Sequence, residues 1–361
     1  MEVFVITYIP SPYQVELFDA LEAQSSINLT VCYVQRKAPD RQWSEPVLQH
    51  EAYYLTDPEP ARTLDDLVRD SDVVIFSYYH HRRVRQWMWE RNAARAPWCF
   101  WGERPGFTYD GFLGRWYRRL RLWPLYRSTA PIWGIGEWAI KGYQREFGPY
   151  RPYMNIPYFS DLERFRAIAE RRPQSDNSPF IRVLYSGSLI KRKGVDLLAT
   201  AFLELVRDKG YQMHLDILGQ GLMGRELRAI LDPVRDNVTF LGFKPWNELP
   251  GIYGRADVLC APSRYDGWGL IIPEGLAAGL PVIATDKMGA AHDLLSSGTN
   301  GWVVKAGARR ALVRALTAAT EDGNLAEMSQ AAQESVSSHQ LIDGVEKFVN
   351  ALERTKKHWS D

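Results

Sequence analysis

The sequence predicts an α/β protein made of two consecutive domains, each built around a parallel sheet. Its 361 residues are about twice the length of a common single domain. Short apolar runs typical of buried strands alternate with segments of helical spacing. At 172–179 a stretch of Pro, Ser, Asn and Asp interrupts this alternation, as an exposed linker would. The chain therefore divides into two halves of similar architecture.

Strands and helices alternate in both halves. In the first half we predict strands at Val3–Tyr8, Leu29–Val34, Val73–Tyr79 and Trp98–Trp101, and helices at Gln14–Ala23, Leu64–Val68 and 84–95. In the second half we predict strands at Ile181–Ser186, Met213–Leu218, Val238–Phe240, Val258–Ala261 and Val282–Ala284, and helices near 194–208, 223–231, 246–254 and 270–279. Strands that alternate with helices in this way form parallel sheets covered on both faces.

Composition excludes several classes of protein. Apolar residues make up 45% and charged residues 24% of the chain, as in ordinary folded domains. The 44 basic and 43 acidic residues nearly cancel, which excludes a general polyanion binder. Three widely spaced cysteines form no disulfide framework and indicate a reducing compartment. The first residues lack the features of a signal peptide, and no apolar run approaches the roughly 18 residues of a spanning helix, so we expect a cytoplasmic protein.

A basic loop follows the strand Ile181–Ser186. In "SGSLIKRKG", Gly187 and Gly194 frame a run of three cations at 191–193. Glycines let a backbone approach a phosphate, and cations beside a helix start neutralise it. A solvated basic turn is the alternative interpretation.

The next strand is followed by a glycine-rich turn. "LGQGLMGREL" contains G-x-G-x-x-G at Gly219, Gly221 and Gly224. A dinucleotide fingerprint requires an acidic residue about 20 positions later, where this chain reads "VTFLGFK". The motif therefore favours a phosphate- or base-facing turn over a nicotinamide site.

Two carboxylates bracket the segment "DGWGLIIPE". Asp266 and Glu274 are eight positions apart, and Gly267 and Gly269 expose amides suited to a diphosphate. Pro273 favours a helix start, which places Glu274 in a first turn. Each acid would accept hydrogen bonds from hydroxyls, one from a transferred sugar and the other from a ribose. Alternatively, Glu274 only caps its helix and Asp266 only makes an Asx-turn.

The order of these motifs resembles glycosyltransferase family 4. The resemblance rests on "YSGSLIKRKGVDLL", "LDILGQG", "VTFLGFKPWNEL", "ADVLCAPSRYDGWGLIIPEGLAAGLPVIAT" and "SSGTNGWVV". It implies a GT-B fold, in which two Rossmann-like domains face each other across a cleft and the C-terminal helix crosses back to the first domain. The corresponding ranges are 1–160 for the acceptor domain, 175–340 for the donor domain and 341–361 for the helix.

The resemblance also implies roles for individual residues. The family's E-x7-E element places its ribose-binding acid at Glu274 and its sugar-binding acid at Asp266, while Lys193 matches the phosphate-binding lysine. Ser188 stands where the family carries an arginine. Lys191, Arg192 or Arg264 could supply the second charge instead, and Arg264 is preferred because it lies in the donor loop. The donor-binding set is Gly187, Ser188, Lys193, Gly219, Phe243, Lys244, Arg264, Asp266, Gly267, Trp268, Gly269 and Glu274; the catalytic set is Glu103, Lys193 and Asp266.

Acceptor-side residues are expected in the first half. In "APWCFWGERPG", Glu103 follows a strand at the position where many members of the family carry a histidine. Its carboxylate would orient or activate the acceptor hydroxyl, although a surface salt bridge is the alternative. His80 and Arg104 are further candidates, as are Ser11 and Tyr13 of the first turn. Ser11 is also expected to cap the first helix.

Charge is unevenly distributed in residues 82–133. This region has eleven Arg, no Lys, three acidic residues and seven of the thirteen Trp. "GFLGRWYRRLRLWPLYR" interleaves Arg with apolar residues, which favours contact with a surface of anionic lipid headgroups. Single-stranded nucleic acid and a helix with its apolar side in the core are the alternatives. We prefer the membrane and expect no nucleic-acid partner.

The resemblance implies a retaining glycosyltransferase that needs no metal or other cofactor. It would move a sugar from a nucleotide-diphosphate sugar, UDP-linked rather than GDP-linked, to a lipid-linked or saccharide acceptor. Surface polysaccharide or glycolipid biosynthesis at the inner face of the cell membrane is the expected setting. Two alternatives stay open: a nucleotide-sugar epimerase or phosphorylase on the same scaffold, and a non-catalytic module that binds sugar nucleotides.

Overall fold

A computed structural model describes residues 1–24, 26–38, 46–58, 63–106, 111–169, 180–321 and 324–361. The predicted linker at 172–179 lies outside these ranges. The chain forms two compact units, and its C-terminal segment belongs to the first of them. The first unit comprises Met1–Asp161 and Gln340–Asp361, and the second comprises Leu162–His339.

The first unit contains a seven-stranded sheet in the order β3-β2-β1-β4-β5-β6-β7, and every pair of neighbouring strands is parallel. Its strands are β1 (Glu2–Thr7), β2 (Asn28–Tyr33), β3 (Glu51–Tyr54), β4 (Val73–Phe76), β5 (Trp98–Gly102), β6 (Ile132–Gly134) and β7 (Tyr153–Asn155). Its helices are α1 (Pro12–Glu22), α2 (Leu64–Asp70), α3 (Arg82–Ala93), α4 (Phe112–Arg121), α5 (Trp123–Tyr126), α6 (Glu137–Phe147) and α15 (Leu341–Ser360).

The C-terminal helix α15 packs on this sheet through aromatic side chains. The Phe348 ring lies 5.0 Å from that of Trp133, centroid to centroid. The indole N–H of Trp133 donates to the Thr355 hydroxyl at 3.1 Å, and that of Trp359 donates to the Trp98 carbonyl at 2.9 Å. Burial of a tryptophan ring removes its indole N–H from water, so the N–H needs an acceptor inside the protein. These two hydrogen bonds supply it.

The second unit contains a six-stranded parallel sheet in the order β10-β9-β8-β11-β12-β13. Its strands are β8 (Ile181–Ser186), β9 (Met213–Leu218), β10 (Val238–Gly242), β11 (Val258–Ala261), β12 (Val282–Thr285) and β13 (Gly301–Val304). Its helices are α7 (Glu163–Ala169), α8 (Val195–Leu203), α9 (Gly224–Leu231), α10 (Leu249–Tyr253), α11 (Ile271–Ala277), α12 (Gly289–Leu294), α13 (Arg309–Glu321) and α14 (Leu325–Ser335). Shorter turns of helix occupy Lys191–Lys193, Asp232–Asn237 and Trp246–Glu248, and a π-helical turn occupies Glu204–Asp208.

Strand order positions the candidate site in this second unit. β8 lies beside β11 although strands β9 and β10 and their helices come between them in the chain, so the direction of winding changes between these two strands. The loops that follow β8 and β11 therefore leave the same edge of the sheet side by side. In open parallel sheets this change of direction is where ligands bind.

Two further observations concern helices. Our prediction that the side chain of Ser11 caps α1 is wrong, because Ser11 occupies the N-cap position but its hydroxyl makes no capping hydrogen bond. Its backbone carbonyl accepts from the amides of Gln14 and Val15 instead. Among the helices of the described ranges, none combines the length and apolar character needed to cross a bilayer.

Candidate functional site

The basic loop after β8 contacts the loop after β11. Lys193 Nζ lies 2.5 Å from Asp266 Oδ2, and the two side chains are only 17% and 14% exposed. Gly194 makes this approach possible, because it has a φ of 71° and an added Cβ would lie 1.9 Å from the Pro262 carbonyl oxygen. No L-residue with a side chain fits there without moving a backbone. Two residues predicted to act on the same ligand are therefore neighbours.

Glycine also joins the loops after β8 and β9. Gly219 has a φ of 131°, and a Cβ on it would lie 2.0 Å from the Gly187 carbonyl oxygen. The Gly187 amide donates to the Leu218 carbonyl at 2.9 Å. The first glycine of the G-x-G-x-x-G string is thus required for loop packing, whether or not a ligand is bound.

Three consecutive amides precede α11. The N–H groups of Gly267, Trp268 and Gly269 donate to no other group in the part of the chain that the structure describes. All three residues are buried, and buried amides normally have an acceptor. The Trp268 side chain points to the protein interior, where its ring stacks on His339 at 5.7 Å. This segment therefore offers its backbone, and not the indole, to an anion.

Glu274 lies in α11 and is only 3% exposed. Its Oε2 accepts a hydrogen bond of 2.9 Å from the Tyr253 hydroxyl, and Ser186 in turn hydrogen-bonds to that tyrosine. Burial and the charge of Glu274 raise the pKa of Tyr253, so the phenol stays a donor. Glu274 thus does more than cap its own helix. The sequence analysis missed Tyr253, which no local motif marks.

The preferred second cation, Arg264, is held by a carboxylate that we did not predict. Its two terminal nitrogens lie 2.7 and 2.8 Å from the oxygens of Asp196, and Lys191 Nζ reaches the same carboxylate at 2.6 Å. Burial alone would raise the pKa of Asp196, but these hydrogen bonds outweigh it and hold the pKa at about 2. Arg192 donates to the Tyr265 carbonyl at 3.0 Å. The assignment of Arg264 to a diphosphate stays a prediction.

These two loops nevertheless retain an excess of positive charge. Residues 187–196 and 262–269 hold four cations but only two carboxylates, Asp196 and Asp266. The remaining predicted donor residues lie at the ends of β8 and β10. The backbone carbonyl of Ser188 accepts a hydrogen bond of 2.8 Å from the Tyr185 hydroxyl. Phe243 is exposed, and Lys244 forms an ion pair with Glu248 at 3.0 Å.

A cavity of about 450 Å³ lies in the first unit. Three of the predicted acceptor-side residues, His80, Glu103 and Arg104, line it. Ser11 and Tyr13 do not, although the Tyr13 ring lies 4.7 Å from the ring of Tyr158 in the cavity wall. The other lining residues are mainly aromatic or small and include Ser77, Tyr78, Tyr79, Phe100, Gly102, Gly106, Gly114, Tyr117, Arg118 and Tyr143.

Polar groups of this cavity are arranged around the end of β5. Glu103 is exposed directly after the strand, and its carbonyl accepts a hydrogen bond of 2.7 Å from the Tyr143 hydroxyl. Arg104 lies over the Trp138 ring at 4.5 Å. Burial and the nearby cations Arg121 and Arg85 lower the pKa of His80, so its imidazole is neutral at pH 7 and able to accept a proton.

The cavity wall also contains a buried ion pair that the sequence analysis missed. Arg118 Nε and its terminal nitrogen lie 3.1 and 2.9 Å from the two carboxylate oxygens of Glu146. Such a bidentate pair fixes the guanidinium in one orientation. Since it joins α4 to α6, the pair holds α4 against the cavity.

Apolar residues of the region 82–133 divide between core and surface. On α3, Val84, Trp87 and Met88 are buried. On α4 the opposite holds, because Phe112 and Leu113 are 84% and 78% exposed. The interpretation that this arginine-rich segment places its apolar side in the core is therefore wrong for α4.

Among the described residues, no three His, Cys, Asp or Glu side chains converge in a way that would hold a metal ion.

Residues 168–335 match the family model of glycosyl transferases group 1. This matched region contains Lys193, Asp266 and Glu274. Two curated relatives are similar over stretches of comparable length. An alpha-D-kanosaminyltransferase of Streptomyces kanamyceticus is 32% identical over 147 residues, which are 40% of this chain and 37% of that protein. A GDP-mannose-dependent alpha-(1-6)-phosphatidylinositol monomannoside mannosyltransferase of Mycobacterium tuberculosis is 33% identical over 176 residues, 45% of this chain and 46% of that protein. The match thus spans less than half the length of each relative.

Similarity of structure extends over the whole chain. A crystal structure of the Anabaena protein HepE in complex with UDP superposes with a TM-score of 0.75 at 16% identity, covering 98% of this chain and 100% of that one. Together with the two parallel sheets, this likeness confirms the predicted two-domain α/β fold of the GT-B class.

Proposed function

We propose that this protein is a glycosyltransferase that moves a sugar from a nucleotide-diphosphate sugar to a lipid-linked or saccharide acceptor. The contact between Lys193 and Asp266, beside the amides of Gly267 to Gly269, is the observation that carries the proposal. It combines a cation, a carboxylate and hydrogen-bond donors, which are the groups that a sugar diphosphate requires. The family match over 168–335 and the names of the relatives support the same activity.

Each group has a distinct task in the proposed reaction. Lys193 and the three amides would stabilise the negative charge that develops on the departing diphosphate. Asp266 would accept hydrogen bonds from the transferred sugar, and Glu274 from the ribose hydroxyls. Asp266 neutralises Lys193 in the structure, so a diphosphate that paired with Lys193 would leave the Asp266 carboxylate to accept hydrogen bonds from the hydroxyls of the transferred sugar.

We further propose that the reaction retains the configuration of the anomeric carbon and uses no metal. The leaving phosphate would help to remove the proton of the acceptor hydroxyl, with Glu103 orienting that hydroxyl in the first unit. Positive charge for the diphosphate would come from the protein, because four cations lie in the two loops of the second unit. UDP is preferred as the carrier: HepE was crystallised with UDP, although the mycobacterial relative is named for GDP-mannose.

The setting that we propose is surface polysaccharide or glycolipid biosynthesis in the cytoplasm, on the inner face of the cell membrane. The mycobacterial relative is named for a phosphatidylinositol mannoside, and a relative of Escherichia coli is named a putative colanic acid biosynthesis glycosyltransferase. The arginine-rich region 82–133 would lie on the membrane.

A donor screen tests the proposal. Thermal unfolding is measured with UDP, GDP and their common sugar conjugates, because a ligand that binds only the native state raises Tm with its occupancy. Conjugates that bind are then incubated with and without acceptors. Conversion of the sugar nucleotide alone would indicate an epimerase, and tight binding without turnover on varied acceptors would indicate a non-catalytic module. A protein stabilised by none of these nucleotides would refute the proposal.

A further inference from the structure

Helix α4 exposes an unusual number of large apolar side chains. Phe112, Leu113 and Trp116 are 84%, 78% and 59% exposed, and Tyr117 and Leu120 are also exposed. At about 100° per residue, these five side chains occupy one arc of roughly 140° on the helix. A helix of a soluble domain normally turns such an arc to the core. Here the core contact of α4 is made by Gly114 and Arg118, which are buried.

Arginines flank this arc, which we call the α4 face. Arg119 precedes and Arg121 follows the apolar side chains around the helix, and both are exposed. The Arg121 guanidinium lies 5.6 Å from the centre of the Tyr117 ring. Neither α4 nor α5 contains an acidic residue. An apolar stripe bordered by arginine and aromatic rings is the pattern of a helix that lies in a lipid interface.

The same helix forms part of the cavity in the first unit. Gly114, Tyr117 and Arg118 line that cavity from α4, and Tyr117 belongs both to the cavity wall and to the α4 face. Whatever covers the α4 face therefore lies at the border of the cavity.

Charge and shape favour one occupant over two others. A second copy of the chain that docked through the same face would bring Arg119 and Arg121 close to their own equivalents, which is unfavourable. A single-stranded nucleic acid would satisfy the arginines and stack on the rings, but it would leave Leu113 and Leu120 without an apolar partner. A bilayer with anionic headgroups satisfies both sets of side chains.

We propose that the α4 face docks on an anionic lipid bilayer and holds the border of the acceptor cavity at the lipid surface. The acceptor would then be an amphiphile resident in that bilayer and not a soluble saccharide. The choice of acceptor rests on the proposed glycosyltransferase function, whereas the docking does not.

Flotation with vesicles tests the docking. The protein is mixed with vesicles of phosphatidylcholine containing phosphatidylglycerol, or with phosphatidylcholine alone, at low and high salt. The wild type should float with the anionic vesicles, and more weakly as salt rises. The variant Leu113→Ser/Trp116→Ser/Leu120→Ser should lose about tenfold or more of this binding. Because these side chains are exposed, Tm should change little.

Two variants serve as controls. Val47→Ser/Tyr150→Ser/Ile342→Ser removes three apolar side chains of the same unit that are 88%, 98% and 63% exposed but lie outside the α4 face, and it should float like the wild type. Arg119→Gln/Arg121→Gln should abolish the preference for anionic over neutral vesicles. The inference is overturned if the wild type does not float, or if the α4 serine variant floats as well as the wild type. It is equally overturned if that variant changes only self-association or the binding of an oligonucleotide.

The outcomes separate this inference from the proposed function. A protein that floats through α4 but binds no sugar nucleotide would refute the glycosyltransferase and leave the docking intact. A protein that transfers sugar to soluble saccharides and ignores vesicles would refute the docking alone. For the choice of acceptor, labelled UDP-sugar is supplied with vesicles of membrane lipid, and label should enter the lipid extract in the wild type and fall with the serine variant.

Discussion

Replacement of Glu274 by glutamine tests the proposed donor site most directly. The glutamine side chain has nearly the same shape, so it fills the space that the buried carboxylate occupies. Its amide oxygen is able to accept the 2.9 Å hydrogen bond from Tyr253 that Glu274 Oε2 accepts in the native protein. The substitution therefore removes the negative charge while it preserves the packing and this contact.

The size of the effect follows from the chemistry of the proposed contacts. Hydrogen bonds to a charged group contribute about 1.5–3 kcal/mol, whereas neutral ones contribute about 0.5–1.5 kcal/mol. If Glu274 accepts from two ribose hydroxyls, the loss is about 2–3 kcal/mol of binding. At 1.4 kcal/mol per factor of ten, this weakens nucleotide binding roughly 30- to 150-fold. Stability should fall by less than about 1 kcal/mol, since Tyr253 keeps an acceptor.

Two matched variants separate binding from folding. Glu274→Ala removes the acceptor as well, so a buried Tyr253 hydroxyl loses a partner at a cost of about 1–3 kcal/mol, and transfer should fall by orders of magnitude while the fold survives. Tyr253→Phe removes only the donor to a buried carboxylate and should lower stability by about 1.5–3 kcal/mol, with a far smaller effect on nucleotide binding. Calorimetric titration with UDP and GDP and the Tm of each ligand-free variant are the measurements.

The result that refutes this reasoning is simple to state. If Glu274→Gln binds its nucleotide as tightly as the wild type, the ribose assignment is wrong. If Glu274→Gln and Tyr253→Phe lose stability and binding in parallel, Glu274 serves the fold and not the ligand.

Further predictions concern the two loops of the second unit. Lys193→Met should lower kcat by about 100-fold or more through lost charge at the diphosphate, and wild-type turnover would contradict this. Because the Lys193–Asp266 pair is largely buried, a double-mutant cycle with Asp266→Asn on the stability of the free protein should give a coupling of about 1–3 kcal/mol. Because the pKa of Asp196 lies at about 2, below its ordinary 3.8, its ionised form stabilises the fold above about pH 4 and this contribution disappears toward pH 2. Urea unfolding should thus show Asp196→Asn to be about 2 kcal/mol less stable than the wild type at neutral pH, with a difference that shrinks between about pH 4 and pH 2. A difference that stays constant over this range would show that the charge of Asp196 is not what stabilises the fold. Gly194→Ala should lower the free energy of unfolding by several kcal/mol, because its Cβ would meet the Pro262 carbonyl. The control Gly298→Ala, with a φ of 83° and open space around it, should lower it by only about 1 kcal/mol. Equal losses of Tm would show that backbone strain, and not the contact with Pro262, causes the loss of stability.

Periodicity located most strands of both sheets. Every strand predicted from an apolar run is present, and most have bounds within one or two residues. Four strands were missed: Glu51–Tyr54, Ile132–Gly134, Tyr153–Asn155 and Gly301–Val304. They have three or four residues each and read EAYY, IWG, YMN and GWVV, so polar residues or glycine interrupt the apolar run that marked other short strands such as Val258–Ala261. Their backbones are ordered by pairing with a neighbouring strand, which the local sequence does not encode.

The sequence by itself determined the class of fold and the segments that form the candidate site. Alternation of strands and helices requires a parallel sheet, and glycine at Gly194 and Gly219 marks loops that approach another backbone, because only glycine tolerates these conformations. The resemblance to glycosyltransferase family 4 also predicted that Lys193 and Asp266 act on the same ligand, and their side chains are in contact at 2.5 Å.

Only the tertiary structure decided which partners those side chains contact and which of them are buried. Arg264 and Asp196 are 68 positions apart and Tyr253 and Glu274 are 21 apart, so nothing in their local sequence indicates the pairing. The apolar residues of α4 have the spacing of a core helix, yet they face solvent. Periodicity tells which side chains share a face, but the burial of that face depends on what the rest of the chain packs against it.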